Sequence, residues 1–174
     1  MQTSFAMFRE TEVPEDELII SRTDLKGIIT YANETFASIS GYTPEELVGQ
    51  PHNILRHPDM PKSAFRHLWE TLKAGKAWEG YIKNRRKDDG YYWVYARVSG
   101  VYKDGKLIEY KSLRSHIPRN KRDEMQNVYD MMRQSEGDSV RIVSYLSVDL
   151  YKKIMRSSEE AGVPPEVWLE KQLG

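Results

Sequence analysis

The stretch from Trp78 to Ile117, "WEGYIKNRRKDDGYYWVYARVSGVYKDGKLIEYKSLRSHI", limits the possible folds more than any other part of the chain. Runs rich in aromatic and β-branched residues are interrupted by Asp88-Asp89-Gly90 and Lys103-Asp104-Gly105. Both tripeptides signal hairpin turns, so the segment predicts three consecutive antiparallel strands. Pro118 ends the last of them. Upstream, "ELIISRTDLKGIITYAN" reads as two short strands around a turn at Asp24–Gly27. Between the two strand regions the period changes. Gly41 interrupts a short helical piece, and Thr43-Pro44-Glu45-Glu46 looks like a cap followed by proline at the first helical position. In "MPKSAFRHLWETLKAGK", Phe65, Leu68, Trp69 and Leu72 recur at helical spacing, and Gly75 stops the run. The order implies an α+β domain of about 100 residues. It would hold one antiparallel sheet with its helices grouped on one face.

The chain has 174 residues, which suits one domain and an appendage. No apolar run approaches the roughly 20 residues a membrane span needs, and the N-terminus lacks the pattern of a signal peptide. The expectation is a cytoplasmic protein with no membrane partner. The absence of cysteine excludes disulfides, thiolate catalysis, cysteine metal sites and a flavin–cysteine photoadduct. Lys+Arg and Asp+Glu are both 26, so no global charge favours nucleic acid.

"HNILRHPDMPKSAF", His52 to Phe65, concentrates polar chemistry. His52, His57, His67 and His116 have no spacing that puts two on one helical face, and a zinc or iron site needs several converging ligands. One histidine would suffice as an axial haem ligand. Asp59 beside His57 could form an acid/base pair. No nucleophile, oxyanion motif or phosphate-cradling glycine loop accompanies the pair, so no enzyme is expected. Trp69, Trp78, Tyr81, Tyr91, Tyr92, Trp93 and Tyr95 crowd the second half of the domain. Trp78 and alternating members of the 91–95 run are expected to face the helices. With Asn33, Asn53 and Asn84 they suit either an ordinary core or a pocket for a flat heteroaromatic ligand. Arg56, Lys83, Arg85, Arg86 and Lys87 would hold phosphates at its mouth or form a solvated hairpin.

Residues 1–118 therefore make the main domain, 119–138 a connecting helix and linker, and 139–174 a separate unit. The connecting helix carries Met125, Val128 and Met132 at heptad-like spacing and is a candidate to pair with its twin. In the last unit Val140–Leu146 is strand-like. Ser147 can cap a helix lined by Leu150, Tyr151, Ile154, Met155 and Ser158, and Pro165 opens a second one. So small a unit cannot bury enough surface alone, and its single strand needs a partner strand; a homodimer is expected.

"YANETFASISGYTPEELVGQPHNILRHPDMPKSAFRHLW" followed by "LKAGKAWEGYIKNRRKDDGYYWV" closely resembles the sensory PAS domain of bacterial aerotaxis receptors, a domain-length likeness over about residues 10–118. The resemblance implies a PAS fold that binds FAD non-covalently as a redox sensor. It also implies that Asn33, Arg56, His57, Asp59, Phe65, Trp69, Trp78 and Asn84 line or support the flavin site. The tail "RIVSYLSVDLYKKIMRSSEEAGVPPEVWLEKQL" resembles ribbon–helix–helix DNA-binding proteins, in which two chains pair their strands into a ribbon for the major groove. By position Arg141, Val143 and Tyr145 would face the DNA, and of these only Arg141 offers a bidentate fork. Lys152 and Lys153 add positive charge. The combined expectation is a flavin-based redox or oxygen sensor that regulates transcription. Its rivals are a flavin-binding adaptor that signals to another protein and a haem-based gas sensor.

Overall fold

The computed structural model describes residues 9–137, 153 and 156–162. The chain divides into two compact units, Met1–Val140 and Arg141–Gly174. The first unit opens with β1 (Ile19–Thr23) and β2 (Ile29–Ala32). Three short pieces follow: α1 (Glu34–Ser40), α2 (Pro44–Leu47) and a 3-10 turn at His52–Leu55. Then come α3 (Lys62–Lys73), β3 (Trp78–Arg85), β4 (Tyr91–Lys103), β5 (Lys106–Ser115) and α4 (Arg119–Ser135).

Local chemistry sets these boundaries. Asn33 caps α1 by accepting the Phe36 amide, and Gly41 closes it in a left-handed conformation. Thr43 and Glu46 form a reciprocal capping box on α2, with Pro44 in the first turn. In the β4–β5 hairpin Lys103 pairs with Lys106. The two residues between, Asp104 and Gly105, have φ of 50° and 75°, the positive values a type I′ turn needs.

The five strands run in the order β2-β1-β5-β4-β3, and the observed pairings are antiparallel. Successive side chains on a strand point to opposite faces. Ile19, Ile82, Tyr92, Val94 and Ala96 point inward and are buried with Phe36, Leu55, Leu68 and Leu72. Trp78 lies on this side too and bonds to His67 of α3.

The opposite face is not bare. Tyr129 of α4 stacks on Trp93 with ring centroids 6.1 Å apart, and its hydroxyl donates to the Tyr81 carbonyl at 2.5 Å. The helices α1, α2 and α3 group on the inner face, as expected for the domain, while α4, read from the sequence as a connecting helix, covers part of the other. Of the aromatic run, Tyr92 faces the core while Trp93 is buried beneath α4. The face that α4 buries is mostly polar: Arg122, Gln126, Tyr129 and Arg133. Met125, Val128 and Met132, the apolar stripe of the sequence, lie half-buried beside it. The N-terminal segment joins the same corner. Thr11 donates its amide to Tyr91 at 2.9 Å, and Arg122 bonds to Glu10 and Glu12 at 2.7 and 2.6 Å.

In the second unit residues 156–160 are helical, Ser158 is buried, and Lys153 is helical and exposed. Arg141, Val143, Tyr145 and Lys152 lie outside the described residues, as do the expected ribbon strand and second helix.

Candidate ligand-binding site

β5 is the central strand, and its inward positions break the apolar pattern: Tyr110, Ser112 and Arg114 share one face. Arg114 is only 2% exposed. Its Nε donates to Ser112 Oγ at 2.9 Å, and one Nη bonds to Ser21 Oγ and approaches His52 Nε2 at 3.3 Å. The guanidinium lies 4.4 Å from the centre of the Phe36 ring. Phe36 in turn stacks on His52, with centroids 5.8 Å apart and planes inclined by 18°. The result is a layered set of flat groups with hydrogen-bonding edges.

Charge is unbalanced here. Among the described residues no carboxylate pairs with Arg114, although burying an isolated cation costs several kcal/mol. Burial draws the Arg114 guanidinium down to about 10. Burial, then the Arg114 charge, push His52 down to about 3, so its imidazole is neutral. Burial raises the Tyr92 phenol to about 12; the hydroxyl lies beside Arg114 and Asn84 yet makes no hydrogen bond of good geometry. Arg114 Nη1 likewise makes no hydrogen bond of good geometry. Buried polar atoms are rarely left so. Planar surfaces, unused donors and an uncompensated positive charge suit a flat, acceptor-rich heteroaromatic molecule, neutral or anionic.

The residues expected from the sequence fall into several places. Asn84 is buried beside Tyr92. Arg56 is exposed, pairs its backbone with Asn84 in a β-bridge and sets its guanidinium 4.3 Å above Phe65. Arg56 and His57 line an open cleft together with Asn53, Pro58, Met60 and Lys62. His57 accepts the Asp59 amide at Nδ1, 3.0 Å away, and lies edge-on to Tyr91. Burial, then Lys83, hold His57 near 4. Asp59 turns away from Arg114 and bonds to Lys83, Gln126 and Arg133 beneath α4. Asn33 is engaged in capping α1 and in bonds to Ile20 and Leu18. Trp78 donates Nε1 to His67 at 3.0 Å, and its ring covers Gly80 so closely that a Cβ there would meet it at 2.5 Å. Trp69 is 39% exposed and lies edge-on to Tyr110.

Sequence reasoning missed Arg114, Tyr92, Ser21 and Ser112 as a group, and did not place His52 beside them. A signal existed. In "EYKSLRS" the positions that share Tyr110's face are Ser112 and Arg114, so an arginine stands at core parity in a strand flanked on both sides. No cluster that could hold a metal ion occurs among the described residues.

Residues 29–114 match the family described as the PAS fold. The chain is 50% identical to the aerotaxis receptor of Escherichia coli K12 over 107 residues, 62% of this chain and 21% of the receptor. It is 31% identical to the nitrogen fixation regulatory protein of Klebsiella pneumoniae over 108 residues, 62% of this chain and 22% of that protein. The matched region thus spans about a fifth of the length of these relatives. Among solved structures, the dark state of the blue-light photoreceptor Aureochrome1 LOV superposes with a TM-score of 0.57 at 20% identity, covering 65% of this chain and 85% of that one. Strand order, helix placement and these matches agree: the chain carries a PAS domain, similar to the matched region of the aerotaxis receptor.

Proposed function

We propose that the PAS domain binds FAD non-covalently and works as a redox or oxygen sensor, not as an enzyme. The observation that carries the reading is Arg114, a buried cation with no counter-charge among the described residues, set beside Tyr92 and Asn84 and layered on Phe36. The resemblance to aerotaxis-receptor PAS domains supports FAD among flat heteroaromatic ligands. FAD supplies a redox centre that gains negative charge on reduction, and positive charge nearby favours that state. Arg114, Asn84 and Tyr92 would meet its polar ring edge, and Arg56 and Lys62 at the cleft would meet phosphate. With no cysteine in the chain, signalling through a thiol adduct is not available. His57 Nδ1 is engaged by the Asp59 amide and His52 Nε2 faces Arg114, an arrangement that favours flavin over axial haem ligation.

The output we infer is transcriptional: a homodimer formed through residues 139–174 that reads DNA with Arg141, Val143 and Tyr145, helped by Lys152 and Lys153. This part rests on the sequence. Among the described residues no helix is long and apolar enough to cross a membrane.

Absorption spectroscopy tests the cofactor. Purified protein should be yellow and release FAD on denaturation, and Arg114→Met should lower FAD affinity at least about tenfold, the worth of one charge-assisted contact. Protein that takes up no FAD, or shows a haem Soret band, refutes the reading. A gel shift in both redox states tests the output; Arg141→Ala should cost about 1–3 kcal/mol of specific binding. A chain that binds no DNA in either state would hand the output to an adaptor role.

A further inference from the structure

The geometry points to Asp59 as a positioning residue that latches α4 to the wall of the ligand-binding cleft. The segment from Arg56 to Met60 faces two ways. His57 and Met60 line the cleft, while the Asp59 carboxylate lies beneath α4. Asp59 Oδ2 accepts from Lys83 Nζ at 2.7 Å and from Gln126 Nε2 at 3.4 Å, and Oδ1 accepts from Arg133 at 3.3 Å. Lys83 also donates to Gln126 Oε1 at 2.9 Å, and Gln126 to Asp130 at 2.9 Å. The participants are buried: Asp59 is 9% exposed, Lys83 5%, Gln126 3% and Arg133 6%.

A second tie reaches the same wall. Glu136, just past α4, accepts the amides of Lys62 and Ser63 at 2.9 and 3.0 Å in the first turn of α3, and Lys62 lines the cleft. So α4 is fastened at both points to the segment 56–63, the peptide a bound ligand would press against. The Asp59 amide donates to His57 Nδ1, which links the orientation of a cleft ring to the position of the buried carboxylate. A ligand that turns His57 moves Asp59, and Asp59 cannot move without exchanging its bonds to Gln126 and Arg133. A buried polar network of this kind holds firmly in one arrangement and poorly in neighbouring ones. The state of the cleft therefore sets how tightly α4 docks, and α4 leads directly into the second unit in sequence.

This inference rests on the cleft being the cofactor site, and amide hydrogen exchange on the full chain separates the two ideas. In wild-type protein, loading with FAD should change exchange across residues 119–135 by about tenfold relative to β5. Asp59→Asn and, independently, Gln126→Leu should raise α4 exchange about tenfold or more in the flavin-free chain and abolish its dependence on FAD. Glu124→Gln, on the exposed side of α4, should leave both unchanged. Equal α4 exchange with and without FAD, in protein whose spectrum shows the flavin bound, overturns the latch. A chain that takes up no FAD defeats the cofactor reading alone. The two variants are still read without flavin, and wild-type α4 exchange in both overturns the latch.

Discussion

On the inner face of the sheet Arg114 is buried against two serines, a neutral histidine and a phenylalanine ring; on the outer face Lys83 and Arg133 are buried as deeply and share Asp59. The chemistry of the cations is similar, but the counter-charges are not. Outer cations find a carboxylate within the chain, so that cluster fastens one element of the chain to another. The inner cation has neutral partners and unused hydrogen-bonding capacity, so that cluster is prepared for something the chain does not itself contain. Because a buried charge costs several kcal/mol unless paired, the location of its partner separates a structural role from a binding one.

The comparison is broken most forcefully at Asp59. Asp59→Ala would leave Lys83 and Arg133 buried without their shared carboxylate, and removing one partner of a buried pair costs about 3–5 kcal/mol. Denaturant unfolding checks this, and a loss below about 1 kcal/mol would reduce the outer network to the weight of a surface ion pair. Burial alone would raise the Asp59 carboxyl; Lys83, His57 and Arg133 outweigh it and hold it below its ordinary value. Its contribution is therefore present above the ordinary carboxylate pKa and is lost as pH falls through the folded value.

The inner face should respond to acid earlier. His52 is held neutral near 3, against about 6.5 in the unfolded chain. The unfolded state thus binds the extra proton first. Stability is complete above pH 6.5 and falls as pH drops from there towards 3, by up to about 1.4 kcal/mol per pH unit. His57, held near 4, adds to the same limb. His52→Gln should remove one proton's share of the slope between about pH 6 and 4.5, read from unfolding midpoints across that range. An unchanged slope would mean that His52 titrates normally and that the inner face is wetter than its geometry indicates.

These two faces were unequally legible in the sequence. Both hairpins, the glycine stop of α1, the cap of α2 and the span of α3 follow from turn chemistry, capping residues and apolar periodicity, and local signals of that kind survive into the fold. The buried face of α4 was invisible for a physical reason. Its inward positions are Arg122, Gln126, Tyr129 and Arg133, mostly polar, and hydrophobic periodicity selects the Met125, Val128 and Met132 stripe instead. The candidate site was half legible. Asn84, Arg56 and His57 stand in a dense polar motif, but Arg114 stands alone in β5 and reaches Ser21 of β1 only once the first and last strands pair. Asp59 shows the limit of motif reading, because adjacent residues of "RHPDM" serve opposite sides of one segment.

A surface control calibrates the outer face. Arg97 pairs with Glu79, which also accepts the Tyr95 hydroxyl at 2.9 Å, but the two charged side chains are 59% and 43% exposed. Arg97→Ala should cost less than about 1 kcal/mol, and less still at high salt. A loss comparable to that of Asp59→Ala would show that burial is not what separates the two networks.

Arg114→Met should have the smallest effect on unfolding and one of the largest on binding. Methionine has a similar reach, fills the same space beside Phe36 and carries no charge to desolvate. Removing an unpaired buried cation in this way is neutral or stabilising, because the hydrogen bonds lost to Ser21 and Ser112 are offset by the desolvation no longer required. The flavin-free variant should therefore unfold within about 1 kcal/mol of wild type, or above it, while FAD uptake falls sharply. If Arg114→Met instead destabilises the flavin-free chain by the 3–5 kcal/mol expected at Asp59, then Arg114 is paired within the fold after all. The two faces would then be alike, and the binding role would have to move to Asn84 and Tyr92 without it.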